Sequence, residues 1–174
     1  MGAPARGHSG RTLVVVRHAR AAGEAGVNDL ERPLTAGGRR DASAAGRWLL
    51  DRGITPAWVL CSPARRTRQT WEQICGVLGE VAPREDAVSF EPQVYEAGPQ
   101  GLLDLVSEQP TEARTLLTVG HNPASAQLVA ILTGRSDIAF PPCALAVVRV
   151  GESWAAVAPG GGELADLWTP HTPE

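Results

Sequence analysis

The sequence predicts one α/β domain with helices on both faces of a mostly parallel sheet. Its 174 residues are enough for one hydrophobic core and too few for two domains of ordinary size. Short apolar runs of strand length alternate along the chain with longer segments that have helical patterning. These runs contain few polar residues, as is typical of strands that a parallel sheet buries on both faces. Alternation of this kind indicates a layered α/β fold.

The first strand and the first helix are predicted in the opening third of the chain. Residues 13–16 form an apolar, mostly β-branched run, which favours a buried strand. Thr35 is a suitable N-cap for a helix over about residues 36–52. Gly53 follows this segment and favours its termination.

The second strand and the second helix follow in the same order. Residues 58–61 form another apolar run. Ser62 and Pro63 then supply an N-cap and a first-turn proline for a helix that extends to about residue 78. After a stretch rich in proline and acidic residues, residues 99–108 have a helical pattern.

The last third of the chain predicts three more strands and one more helix. Residues 115–119 form the third apolar run, and Asn122 with Pro123 can begin a helix by the same capping pattern. Residues 144–150 and 154–157 are predicted to form a closing pair of strands.

The composition sets the domain limits and excludes several classes of function. Residues 1–11 and 169–174 are predicted to be flexible ends, which leaves a single domain over residues 12–168. The net charge is −3, so composition gives no support for binding to nucleic acid or to a membrane surface. All sixteen basic residues are arginines, and a chain without lysine can neither contain a P-loop nor form a Schiff base. No apolar run approaches the roughly 20 residues of a membrane span, and we expect a cytoplasmic protein.

The cysteines and histidines predict neither a disulfide framework nor a metal site. The three cysteines form no Cys-x-x-Cys pair, and the four histidines lie without paired spacing. A cysteine phosphatase is also excluded, because its Cys-x5-Arg motif on Cys61 would require an arginine where this chain has Thr67.

Polar residues that suit a single chemistry follow three of the predicted strands. They are Arg17 and His18 after the first strand, Arg65 and Arg66 after the second, and His121 after the third. The carboxyl ends of strands in an open α/β sheet form its ligand-binding crevice, so we expect these residues to converge. The planar forks of arginine match phosphate oxygens, and helix N-termini favour anions. A phosphoryl group is the simplest ligand for this arrangement.

Four segments resemble the motifs of the histidine phosphatase superfamily, in the family's order. Residues 15–19 resemble its Arg-His-Gly signature, with Ala19 at the glycine position. Residues 62–70 resemble its Ser-Pro-x-x-Arg-x-x-Gln-Thr motif, and residues 119–123 resemble the segment that carries its second histidine. Residues 32–38 resemble the Arg-Pro-Leu-Thr-x-x-Gly element of the short, SixA-like phosphohistidine phosphatase branch.

The resemblance implies a phosphoglycerate mutase-like fold with three layers, α/β/α. It also implies that His18 attacks phosphorus and becomes phosphohistidine, which water then hydrolyses. Arg17, Arg66 and His121 would bind the phosphoryl oxygens and stabilise the charge that develops on them. The alignment selects Arg66 and leaves Arg65 as a variable position. Because these groups supply the positive charge, no metal or other cofactor is expected.

The general acid has no sharp motif in this chain. The acid phosphatase branch places an aspartate directly after the second histidine, where this chain has Asn122. In the mutase-like branch a glutamate lies between the second and third motifs, and Glu96 occupies roughly that region. Glu96 is therefore the candidate acid, and a surface carboxylate without a catalytic role is the alternative.

The predicted substrate is a phosphohistidine on a protein. A phosphorylated imidazole leaves more easily than an alkoxide, so it depends less on a general acid. Few residues separate Arg66 from His121, which leaves no room for the substrate-capping insertion of larger relatives and favours an open site. A broad phosphomonoesterase for sugar phosphates or nucleotides is the alternative enzyme. A pseudoenzyme that binds phospho-ligands without turnover is the non-catalytic alternative.

Overall fold

The computed structural model describes residues 10–23 and 25–170. They form a six-stranded sheet in the order β3-β2-β4-β1-β5-β6. The strands are β1 (Arg11–Arg17), β2 (Trp58–Cys61), β3 (Val88–Phe90), β4 (Thr115–Gly120), β5 (Leu145–Val150) and β6 (Glu163–Trp168). The α-helices are α1 (Ala36–Asp51), α2 (Arg65–Leu78), α3 (Pro92–Glu96), α4 (Pro99–Ser107) and α5 (Ala124–Thr133). Short 3₁₀ turns cover Asp29–Glu31, Gly79–Val81, Glu85–Ala87 and Trp154–Ala156.

The sheet is mostly parallel, and the predicted α/β/α layering is confirmed. Strands β1, β2, β3 and β4 run parallel, whereas β5 pairs antiparallel with β1, and β6 pairs antiparallel with β5. Helices α1 and α2 cover one face of the sheet, and α4 and α5 cover the other. The parallel strands therefore point their carboxyl ends to one edge of the sheet.

Strand β1 shows how the sequence builds a core on each side of the sheet. Successive side chains of a strand point to opposite faces. Val14 and Val16 pack in the core under α1 and α2, while Leu13 and Val15 pack in the core under α4 and α5. All four side chains are fully buried. The run contains no polar residue because both of its faces are covered.

The closing pair of strands differs from the sequence prediction. The partner of β5 is the edge strand β6, whose residues alternate between exposed and half-buried, rather than residues 154–157. Trp154 instead lies in a 3₁₀ turn. Its indole is fully buried and donates a hydrogen bond to the carbonyl oxygen of Ala113 at 2.7 Å. Burial of one large aromatic side chain with a satisfied N–H outweighs the strand propensity of its neighbours.

Helix α1 begins as predicted, while α2 and α5 begin later. Helix α2 starts at Arg65 and α5 starts at Ala124, so the residues predicted as their caps lie in the preceding loops. Ser62 Oγ accepts a hydrogen bond from the backbone N–H of Ala64 at 3.2 Å, which organises the loop and not the helix itself. Ser62 is thereby left at the carboxyl end of β2.

The described residues begin at residue 10 and end at residue 170, and the division into one domain with flexible ends stays a prediction. Strand β1 begins at Arg11, which pairs with Val150, so ordered structure starts one residue before the predicted limit at residue 12. Residues 1–9 and 171–174, which hold most of the predicted flexible ends, lie outside the described residues. Across the described ranges, none of the helices has the length and apolar character needed to cross a membrane.

Candidate active site

The carboxyl ends of β1, β2 and β4 meet at one edge of the sheet. His18 directly follows β1, and its backbone N–H donates to the carbonyl oxygen of Gly120 in β4 at 3.0 Å. Ser62 follows β2, and its backbone N–H donates to the carbonyl oxygen of Val119 at 3.0 Å. The ring centroids of His18 and His121 lie 5.3 Å apart. The sheet therefore brings together side chains that are far apart in the sequence.

The hydrogen bonding of His18 fixes which ring nitrogen has a free lone pair. Its Nδ1 lies 2.7 Å from the carbonyl oxygen of Ala19, and a carbonyl can only accept, so Nδ1 carries the proton. Burial, together with the positive charges of Arg66 and Arg17, lowers the pKa of His18 to about 4. The imidazole is therefore uncharged at neutral pH, with its lone pair on Nε2.

Arg66 is the buried arginine of the α2 N-terminus. It is 6% exposed, whereas its neighbour Arg65 points to solvent. The two terminal nitrogens of Arg66 donate to Asp29, Nη1 to the backbone oxygen at 2.7 Å and Nη2 to Oδ2 at 3.0 Å. Nη2 also lies 3.3 Å from Nδ1 of His121. Arg66 therefore lies beside His121 while Arg65 is exposed, and the phosphate-binding role of Arg66 stays a prediction.

His121 has the opposite tautomer to His18. Arginine has only donors, so Arg66 donates to Nδ1 of His121, and the ring proton lies on Nε2. Nε2 then donates to Ser62 Oγ at 2.8 Å. Burial lowers the pKa of His121 to about 3, with a further contribution from the charge of Arg66. His121 is therefore an uncharged hydrogen-bond donor at neutral pH.

Arg17 and Arg66 bring guanidinium N–H donors to the candidate site. Arg17 ends β1 and donates from Nη1 to the carbonyl oxygen of Phe140 at 3.1 Å. Within the described residues, the Nε atoms of Arg17 and Arg66 are buried and have no hydrogen-bond partner. Guanidinium groups match the geometry of phosphate oxygens, so both side chains are candidates to donate to an anion in the site.

The second motif also holds the loops of the site. Thr70 is buried, and its Oγ1 accepts a hydrogen bond from the backbone N–H of Ala19 at 3.0 Å. Oε1 of Gln69 accepts a hydrogen bond from the backbone N–H of Leu34 at 2.8 Å. The Gln-Thr end of the motif therefore anchors the loop that carries His18 and the loop that precedes α1.

Glu96 lies at the rim of the site. It ends α3, is exposed, and lines a cavity of about 280 Å³. The same cavity is lined by His121 and Asn122. The position is compatible with proton donation into the cavity, and the role of Glu96 stays a prediction.

Two residues of the site were missed at the level of sequence. Asp29 bonds to Arg66, and Tyr95 packs edge-on against His121 with ring centroids 5.3 Å apart. The hydroxyl of Tyr95 donates to Oδ2 of Asp29 at 2.7 Å. The available signals were weak, since Asp29 lies three residues before Arg32 of the Arg-Pro-Leu-Thr element and Tyr95 is adjacent to Glu96.

Comparison with known proteins identifies the family. The family model of the histidine phosphatase superfamily (branch 1) matches residues 13–89. An uncharacterized protein of Mycobacterium tuberculosis is 35% identical over 168 residues, which span 90% of this chain and 100% of that protein. The structure of a putative phosphohistidine phosphatase SixA from Nakamurella multipartitia is 34% identical, with a TM-score of 0.78 over 93% of this chain and 97% of that chain. The chain belongs to the histidine phosphatase superfamily.

Within this superfamily the chain is similar to proteins named as phosphohistidine phosphatases. A structure of the protein histidine phosphatase SixA in complex with tungstate is 27% identical, with a TM-score of 0.72 over 90% of this chain and 95% of that chain. The Escherichia coli phosphohistidine phosphatase SixA is 29% identical over 144 residues, which span 81% of this chain and 86% of that protein. The chain is therefore a phosphatase with a phosphoglycerate mutase-like fold.

Proposed function

We propose that this phosphatase works without a metal ion, through a phosphohistidine intermediate on His18, and that its substrate is a phosphohistidine on a protein. The observation that carries the mechanism is the state of His18, which is uncharged and has its lone pair on Nε2. A nucleophile must offer a lone pair, and a low pKa keeps it available at neutral pH. Burial and the positive charges of Arg66 and Arg17 both lower the pKa of His18.

The reaction takes place in two displacements. Nε2 of His18 attacks phosphorus, the bond from phosphorus to the leaving atom breaks, and the leaving atom keeps the bonding electrons and takes up a proton. Water then attacks the phosphorus of phospho-His18, which releases inorganic phosphate and restores the lone pair on Nε2. Arg17 and Arg66 hold the equatorial oxygens through their guanidinium N–H donors.

His121 acts with Arg66 as one unit in this proposal. Arg66 fixes the tautomer of His121 by donating to Nδ1, and this leaves a proton on Nε2. Once the ring of His121 turns away from Ser62, the uncharged N–H at Nε2 can donate a hydrogen bond to a phosphoryl oxygen. Because the ring carries no charge, binding does not have to desolvate one.

Two observations support phosphohistidine as the substrate. The solved structure with 34% identity is named a putative phosphohistidine phosphatase, and it aligns over nearly the whole of both chains. The candidate acid Glu96 is exposed at the rim of the site, so it is a weak candidate for proton transfer to a poor leaving group. An N-phosphorylated imidazole places the smallest demand on such an acid.

The test is to trap the intermediate. The protein is mixed with a ³²P-phosphohistidine protein, quenched within milliseconds under alkaline conditions, digested and mapped. We expect label on His18, and we expect His18→Ala to lose turnover with an unchanged circular dichroism spectrum. Label on Cys61 or Ser62 would overturn the mechanism. Burial raises the pKa of the Cys61 thiol far above its usual range, which already argues against thiolate attack.

The substrate class is tested beside the mechanism. The rate constant kcat/KM is measured on a phosphohistidine protein and on a panel of sugar phosphates and nucleotides. We expect the phosphohistidine protein to be the best substrate. A clear preference for a small phosphoester would replace it with the phosphomonoesterase alternative, while trapping on His18 would leave the mechanism intact.

A further inference from the structure

Asp29 is outside the proposed catalytic set, yet it bonds to Arg66 and Tyr95 from two other segments and to Arg32 at the end of its own turn. It lies in the 3₁₀ turn between β1 and α1. Its Oδ2 accepts from Nη2 of Arg66 at 3.0 Å and from the hydroxyl of Tyr95 at 2.7 Å. Its Oδ1 accepts from Nη1 of Arg32 at 3.1 Å, and its backbone oxygen accepts from Nη1 of Arg66 at 2.7 Å.

We propose that Asp29 is the positioning residue that orients Arg66 for an oxyanion, and that Arg32 and Tyr95 hold Asp29 in place. This inference rests on the proposed role of Arg66 in binding the phosphoryl group. It assigns a function to the turn Asp29–Glu31 and to Tyr95 that the family motifs do not supply.

The geometry of the Arg66 fork is the first support. A guanidinium has five N–H donors in one plane, and Asp29 engages one donor on each terminal nitrogen. Two bonds to one residue fix the plane of the fork, and among residues 10–23 and 25–170 the buried Nε has no partner. A flexible side chain that is fixed before the ligand arrives loses less conformational freedom on binding, which is the basis of preorganisation.

The way Asp29 is held is the second support. The hydrogen bond from Tyr95 makes the largest contribution to a pKa of Asp29 that lies far below its usual range, and those from Arg32 and Arg66 act in the same direction. The carboxylate is therefore charged at neutral pH. Arg32 binds one carboxylate oxygen of Asp29 and Tyr95 binds the other, so both contacts restrain the orientation of this half-exposed side chain.

The same contacts could also weaken oxyanion binding, because Asp29 competes with the ligand for Arg66. A carboxylate beside a phosphate site repels an anion, and its removal would then strengthen oxyanion binding. The two effects differ in sign, so a single binding measurement separates them.

The experiment measures tungstate binding by isothermal titration calorimetry to the full chain and to Asp29→Asn. An amide cannot accept hydrogen bonds on both of its heteroatoms, so this change breaks the bonds on one side of Asp29. We expect the dissociation constant for tungstate to rise by about 10- to 100-fold, by analogy with the loss of partners that orient metal ligands. Tyr95→Phe removes one bond to Oδ2 and should cause a smaller loss in the same direction.

The matched control is Glu31→Gln, which makes the same change of charge on an exposed residue of the same turn. It should leave tungstate binding unchanged. In the Arg66→Ala background, Asp29→Asn should change the dissociation constant by less than about 2-fold, because residues that act as a unit are not additive. Thermal unfolding of each variant shows that the fold is retained, and Tyr95→Phe carries the test alone if Asp29→Asn does not fold.

Three results would overturn the inference. Tighter or unchanged tungstate binding in Asp29→Asn would make Asp29 a competitor or a bystander. An equal loss in Glu31→Gln would reduce the effect to long-range charge. A full loss in the Arg66→Ala background would mean that Asp29 acts through another group. Because tungstate binding requires no turnover, the outcome does not depend on whether the label is trapped on His18.

Discussion

His18 and His121 are the same residue type in one site, and their hydrogen bonds give them different tautomers. A backbone carbonyl accepts a hydrogen bond from the Nδ1–H of His18, while a guanidinium donates to Nδ1 of His121. The first ring therefore offers a lone pair at Nε2, and the second offers an N–H there. The hydrogen-bond partner of each ring therefore determines whether its Nε2 presents a lone pair or an N–H.

The adjacent arginines of α2 provide a matched pair for mutation. Arg66→Ala should lose on the order of 2.7–4 kcal/mol of transition-state stabilisation, the range measured for one preorganised oxyanion donor. Arg65→Ala should lose far less, because Arg65 is exposed while Arg66 is buried in the site. The measurement is kcat/KM on one phosphohistidine substrate. Equal losses at the two positions would show that the second motif is wrongly aligned.

The role of Glu96 is tested by the dependence on the leaving group. If Glu96 is the general acid, Glu96→Gln should slow hydrolysis of an alkyl phosphate by about 10² to 10⁴. An aryl phosphate such as p-nitrophenyl phosphate should be little affected, and a phosphohistidine substrate should lie near the aryl case. A weak and equal response of all three would remove Glu96 from the mechanism and leave its exposure at the rim without a catalytic meaning.

At the scale of the elements, the first turn of α1 supports the loop that follows His18. The carbonyl oxygen of Arg20 accepts a hydrogen bond from the backbone N–H of Thr35 at 2.9 Å, and it lies directly over Gly38. A methyl group at Gly38 would overlap this backbone oxygen. Glycine is therefore required here for close approach of two backbones.

Gly38→Ala should destabilise the protein by about 1–3 kcal/mol, the usual range for overpacking. The matched control is Gly37→Ala in the same turn, where a methyl group would meet only side-chain atoms at 3.7 and 3.8 Å. It should be neutral or should stabilise by up to about 1 kcal/mol, since alanine favours a helix. Urea unfolding of both variants provides the comparison. Equal stabilities would mean that the loop moves away from Gly38 without loss.

At the scale of the whole molecule, the two site histidines connect the active site to stability in acid. Their pKa values are lowered to about 4 and about 3, whereas an unfolded histidine titrates near its usual value of 6.5. The unfolded chain therefore binds these protons first, and acid favours unfolding. Stability should fall as the pH drops from about 6.5 towards 4, by up to about 1.4 kcal/mol per pH unit for each histidine.

Urea unfolding at pH 7, 6 and 5 measures this slope. His121→Asn should reduce the slope, because it removes one of the two titrating groups while keeping a polar side chain of similar size. An unchanged slope in this variant would show that other groups control the stability in acid.

The proposal that the reaction needs no metal ion can be tested on the whole protein. Within residues 10–23 and 25–170, no three His, Cys, Asp or Glu side chains cluster in a way that could hold a metal ion. The arginines of the site already provide positive charge for the phosphoryl oxygens. Activity should therefore survive incubation with EDTA. Loss of activity that zinc or magnesium restores would contradict the proposal.

The layered fold, and the strand ends at which the candidate site residues lie, could be predicted from the sequence. The uninterrupted apolar run of residues 13–16 required cover on both faces, and the motif spacing distinguished Arg66 from Arg65. These features are local, so they can be recognised in a short stretch of chain.

The groups that surround those residues depend on the tertiary structure. Trp154 is buried in a 3₁₀ turn, and β6 rather than residues 154–157 pairs with β5. The 3₁₀ turn that contains Asp29 lies close to α2, so Asp29 contacts Arg66. The tautomers and lowered pKa values of His18 and His121 also depend on partners from distant segments. Burial and hydrogen bonding between distant residues arise only when the chain is packed, and for that reason no local pattern in the sequence predicts them.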